Sequence, residues 1–169
     1  IEVPQLRITF GALQWPLLQA TRVTDSFTVL RIVYSIPIVI APLVSLAVSW
    51  WIVRREAPYL IVWPARGVLL VDLPGQMHWI ATSIRTNQLF WPILLAIFIG
   101  MPDRTLSVVS ILFILILFLH PQVSVFLMAG ALAALVIGWR RPEIRPRMLN
   151  IALVATSGSF FRASVLQSA

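Results

Sequence analysis

The side chains best able to do chemistry are few: two histidines, His78 and His120, six carboxylates and no cysteine in 169 residues. Two histidines on membrane-proximal segments could serve as axial ligands of a haem b, as in anchor subunits of respiratory enzymes, or carry a proton relay. The structural alternative puts His78 at an interface beside Trp79 and uses His120 to close a loop before Pro121. Neither histidine falls inside a well-formed apolar span, so the structural alternative is preferred and no cofactor is expected. Asp72 and Asp103 are the acids nearest the apolar segments. A transporter or channel subunit needs an ionisable residue in mid-membrane facing a cavity. Asp103 instead follows Pro102 and precedes Arg104, which reads as a local ion pair or cap. No His/Asp/Glu cluster has metal-ligand spacing, and there is neither a glycine-rich phosphate loop nor a GxSxG pattern. The missing cysteine excludes disulfides, thiolate metal sites and thiol catalysis. A non-catalytic role is the expectation.

The basic residues number 13 and all are arginine, giving a net charge of +7. They sit at the ends of apolar runs. Arg54, Arg55, Arg140, Arg141, Arg145 and Arg147 are the expected contacts to lipid headgroups or to a cytoplasmic partner, because arginine snorkels to headgroups and fixes topology. Direct nucleic-acid binding is not expected from this placement.

The elements carrying these residues are apolar: 59% of the chain is hydrophobic and only 11% charged, with mean hydropathy +0.91. Soluble domains carry about 25% charged residues. Between Arg104 and Arg140 no charged residue occurs. That run of about 35 residues would be about 50 Å long as one straight helix, against about 30 Å of bilayer hydrocarbon. It must bend or turn back, and His120-Pro121 marks one place to do so. The expected fold is an all-α integral membrane protein. It would have about three or four transmembrane or re-entrant helices and a possible short β-hairpin after the first.

Five stretches follow. Residues 1–26 read as an extramembrane or interfacial segment, with a loose strand pattern over Glu2–Phe10 and a short helix over Gly11–Ala20; they lack the basic and continuous apolar regions of a signal peptide. Residues 27–53 form a transmembrane helix, kinked by Pro37 and Pro42 and ending in Trp50-Trp51-Ile-Val-Arg54-Arg55, an interface signature. Residues 54–86 form an extramembrane loop. In it, Tyr59–Trp63 and Val68–Leu73 flank the turn Pro64–Gly67 as an interfacial or extramembrane hairpin, preferred to a further spanning helix because Arg66 and Asp72 would be costly at bilayer depth, and Gln76–Asn87 is a polar connector. Residues 87–139 are a broken helical unit of three short apolar pieces, Gln88–Met101, Arg104–Leu119 and Val123–Trp139. Ser107 and Ser110, and the small residues Gly130–Ala134 with Gly138, fit close helix packing. Residues 140–169 are a basic linker and a C-terminal amphipathic or partner-docking helix. If the loop and the tail are both cytoplasmic, the three pieces make two crossings. One break, at Gly100–Asp103 or at His120-Pro121, is then a turn and the other a kink or a change from interfacial to inserted.

Arg85, the Phe90-Trp-Pro-Ile-Leu-Leu95 segment, the Pro102-Asp103-Arg104-Thr105 turn, Phe113 to Phe118 and the basic tail from Arg140 carry a resemblance. The stretch from about Arg85 to Arg147 resembles the small inner-membrane subunits of type IV secretion systems that sit beside the secretion ATPase. In that family a Pro-headed apolar segment turns tightly into a second one and then into a basic cytoplasmic tail. The first transmembrane segment and the hairpin are additions that the family lacks. The resemblance implies a structural subunit of a secretion or conjugation apparatus in the bacterial inner membrane, with other membrane subunits and a cytoplasmic ATPase as partners. It carries no catalytic residues. The alternatives are the haem-binding anchor subunit and the transporter or channel subunit.

Overall fold

A computed structural model describes residues 8–72, 82–117 and 123–167. All regular structure among them is helical. The order is α1 (Ile8–Val23), α2 (Phe27–Val53), a 3-10 turn (Pro58–Ile61), α3 (Val62–Gly67), a π turn (Val68–Asp72), α4 (Thr82–Phe98), α5 (Asp103–Leu117), α6 (Val123–Arg140), a second 3-10 turn (Pro142–Ile144) and α7 (Arg145–Gln167). The loose strand expected over Glu2–Phe10 falls partly outside the described residues, and Ile8–Phe10 are already helical.

The expected hairpin is not formed. Residues 58–72 run as consecutive helical turns instead. The prolines and the glycine that signalled a turn do other work. Pro58 opens the 3-10 turn and Pro64 lies in the first turn of α3, where the missing N–H has no intrahelical partner to lose. Gly67 lets the Trp91 indole lie flat against the backbone, since a Cβ there would fall 2.7 Å from Trp91 Cζ2. The expected polar connector is also shorter than its sequence implied, because α4 begins at Thr82.

α4 is the central helix. From Phe90 to Ile97 nearly every position is buried or half-buried, as a helix apolar all round requires. Its neighbours meet it with narrower faces. α2 offers Pro42, Ser45, Ser49 and Ile52, a buried stripe at helical spacing. α6 offers Leu127, Ala131 and Ala134, and Gly130 brings its backbone onto the Phe90 ring. α7 packs along the whole of α6. Gly138 meets Met148 at one end, and Ser124 and Ser159 exchange hydroxyl-to-carbonyl hydrogen bonds of 3.4 and 3.3 Å at the other. Met148, Ala152, Ala155 and Ser159 form its buried stripe. The C-terminal helix, expected to be amphipathic or partner-docking, packs one face within its own chain and leaves Leu149, Leu153, Val154 and Phe160 exposed.

α4 ends in a Schellman motif. Gly100 N–H donates to the Ile97 carbonyl (3.0 Å) and Met101 N–H to that of Ala96 (2.7 Å). Gly100 has φ +87°, and a Cβ at this position would fall 3.1 Å from Ile144 Cδ1. The chain reverses here into α5. It reverses again between α5 and α6, because α6 returns to the end from which α5 departs. Of the two breaks, one expected to be a turn and the other a kink or a change from interfacial to inserted, both join antiparallel helices. α2 and α6 are long and apolar enough to cross a bilayer.

Candidate functional site: an arginine-rich end and the cleft beneath it

α2, α4 and α6 finish at the same end of the bundle, and α5 and α7 start there. Arg54, Arg55, Arg104, Arg140, Arg141, Arg145 and Arg147 gather at this end with Glu56, Asp103 and Glu143. Three of the arginines build it. Arg104 Nη2 donates to the Ile52 carbonyl (3.1 Å) and to Glu56 Oε1 (3.0 Å), and its guanidinium lies 5.8 Å from the Trp51 ring centre. Arg147 donates to the Met101 carbonyl (2.8 Å) and to Asp103 Oδ1 (2.9 Å). Arg145 reaches the Gly138 carbonyl (3.4 Å) and lies over Trp139, 5.8 Å from the ring centre. Thr105 ties the start of α5 to the Pro102 carbonyl at 2.7 Å.

In place of the local ion pair or cap expected at Asp103-Arg104, two long-range pairs form, Asp103 with Arg147 and Arg104 with Glu56, and Asp103 stands in the first turn of α5. Adjacent residues at a helix start point to different sides, so each charge meets a different helix. Of the six arginines expected at an interface, Arg145 and Arg147 hold the chain together as well. Arg54, Arg55, Arg140 and Arg141 are exposed and make no ion pair among the described residues. They remain available to an anionic surface.

Below the Arg147–Asp103 pair lies a cleft of about 740 Å³ between α4, α5, α6 and α7. Phe90, Ile93, Ile97, Leu106, Phe113, Leu127 and Ile151 line it, with Ser110 and Asn150 as neutral polar groups. α5 meets α7 on either side of it. The ion pair joins them near the turn, and Phe113 packs on Gly158 further down, where a Cβ would fall 3.1 Å from Phe113 Cζ.

Sequence reasoning missed a second feature. Ser45 Oγ donates to the Gln88 carbonyl across the α2–α4 contact. Both polar atoms of the buried Gln88 side chain, Ser49 Oγ and Trp91 Nε1 have no partner among the described residues. The signal was present as serines at i, i+4 in an apolar helix, a spacing that puts both on one face. His78 and His120, the candidate haem ligands, lie outside the described residues, as does the side chain of Asp72. No cluster of metal-ligating side chains occurs among the described residues. No family model, curated protein or solved structure matches this chain.

Proposed function

We propose that this chain is a non-catalytic, multi-pass subunit of the bacterial inner membrane, with its arginine-rich end on the cytoplasmic side. The observation that carries this reading is where the apolar surface lies. α2 exposes Ile32, Ile36, Val39, Ile40, Leu43 and Val44; α6 exposes Val125, Met128, Leu132, Leu135 and Val136; α7 exposes Leu149, Leu153, Val154 and Phe160. The most apolar windows of α2 and α6 are only 31% and 39% buried. A core helix of a water-soluble domain is mostly covered, and soluble monomers seldom expose contiguous apolar patches above a few hundred Å². Lipid and neighbouring membrane subunits are the natural cover. Basic residues concentrate on cytoplasmic flanks, which orients the arginine end. Arg66, on the segment that leaves that end, is exposed.

The assembly we propose is a type IV secretion or conjugation apparatus. The support is the sequence resemblance from Arg85 to Arg147, together with the tight Pro102-Asp103 turn between two apolar helices. The exposed Arg54, Arg55, Arg140 and Arg141 would face a cytoplasmic ATPase or anionic lipid. Affinity purification of the tagged chain in mild detergent, with mass spectrometry of what co-purifies, tests this. Secretion ATPase or core-complex subunits are expected. Dehydrogenase or cytochrome subunits in their place would overturn it.

A further inference from the structure

We infer that α7 crosses the bilayer beside α6 and ends on the side opposite the arginine-rich end, so that a cytoplasmic partner meets only the joints at that end. The inference rests on the membrane reading above, which sets the medium around α6. Three observations carry it. The first is register. At the arginine-rich end Gly138 and Met148 touch, a Cβ on Gly138 falling 2.8 Å from Met148 Cβ. At the far end Ser124 and Ser159 exchange hydrogen bonds of 3.4 and 3.3 Å. Beside them Leu127 Cδ1 lies 3.4 Å from where a Cβ on Gly158 would stand. Ser159 is therefore level with Ser124, in the first turn of α6. A helix held to α6 at both places goes as deep as α6 goes.

The second is length. α6 has 18 residues, about 27 Å, which matches a hydrocarbon core of about 30 Å. α7 has 23 residues, about 35 Å. From Ser159 to Gln167 it runs about 12 Å further, past the level at which α6 begins. The third is charge. No charged residue lies between Arg147 and Arg162, which are about 22 Å apart along the helix. A helix lying on the membrane surface carries a strongly charged or polar face, and this stretch has no charge on any face. Its polar Thr156-Ser-Gly-Ser159 conceals a span in the sequence. Of those four only Ser157 is exposed, since Ser159 is buried against α6 and Gly158 lies under Phe113. The exposed positions around them are Leu149, Leu153, Val154, Phe160 and Phe161. The tail that the resemblance makes cytoplasmic thus returns through the membrane. What faces a cytoplasmic partner is the set of joints bearing the exposed Arg54, Arg55, Arg140 and Arg141.

The test uses the full chain, whose lack of cysteine lets single thiols report their side. Ser164→Cys lies at an exposed position near the end of α7, and Glu143→Cys at one before its start. A maleimide that does not cross the inner membrane is applied to cells made permeable at the outer membrane and to inverted inner-membrane vesicles. Ser164→Cys is expected to be labelled in the cells and not in the vesicles, and Glu143→Cys the reverse. Labelling of both only in the vesicles overturns the inference. With Ser26→Cys then labelled only in the cells, the membrane reading stands. All three labelled from one side sinks that reading as well. If the Ser164→Cys thiol reacts from neither side, a reporter fused after Ala169 decides. Alkaline phosphatase is active only where its disulfides form, outside the cytoplasm, and green fluorescent protein in its place fluoresces only inside. Phosphatase activity without fluorescence is expected, and fluorescence without phosphatase activity overturns the inference.

Discussion

Gln88 is fully buried, and its side-chain oxygen and nitrogen lack partners among the described residues. An unmade buried hydrogen bond costs about 1–3 kcal/mol, whereas an apolar group of similar shape avoids that cost. Gln88→Leu is therefore expected to stabilise the isolated chain by about 1–2 kcal/mol, because the Ser45 bond goes to the backbone carbonyl and survives. Thermal unfolding in detergent measures this, and a lowered midpoint would show that the amide holds a group of its own. Such a site was hard to read in the sequence. Gln88 stands among Thr86, Asn87 and Leu89 and looks like the end of a polar connector. Only the start of α4 at Thr82 carries it inside the bundle. The arginines were legible as a class, because charge at the ends of apolar runs is a local pattern. Their partners were not. Glu56 and Arg104, or Asp103 and Arg147, meet only after the chain has folded back.

α6 and α7 form the tightest pair, and glycine sets their separation. A Cβ at Gly138 would lie 2.8 Å from Met148 Cβ, with Arg145 Cα 3.6 Å away. Gly138→Val should force the two helices apart where α7 begins. It would loosen Arg145 from the Gly138 carbonyl and cost about 1–3 kcal/mol. A protease-protection assay should show cleavage between Arg141 and Arg147 in the variant and not in the wild type. Equal protection would mean that the joint has slack to absorb a side chain. The three apolar pieces after residue 87 were legible because Gly100-Met-Pro-Asp103 and His120-Pro121 interrupt an uncharged run. Residues 58–72 were misread because Pro64 and Gly67 send the same local signal in a hairpin and in a short helix packed under an indole. The contact that decides between them is Trp91, which lies over 20 positions away along the chain.

The described residues form a helical bundle with apolar faces turned outward and seven of the chain's 13 arginines at one end. Arg22 and Arg31, with Asp25 between them, are the charges at the start of α2, while Arg54 and Arg55 follow its end. α2 spans 27 residues, about 40 Å, which exceeds a hydrocarbon core of about 30 Å. Its two ends should therefore face different aqueous compartments. The absence of cysteine makes the direct measurement clean. Ser26→Cys and Glu143→Cys each introduce a single thiol at an exposed position, one before α2 and one in the arginine-rich joint between α6 and α7. Cells made permeable at the outer membrane are treated with a maleimide that does not cross the inner membrane, and inverted inner-membrane vesicles with the same reagent. Ser26→Cys should react only in cells made permeable at the outer membrane, and Glu143→Cys only in the inverted vesicles. Labelling of both thiols from the same side would contradict a bundle that crosses the bilayer with its arginine end in the cytoplasm.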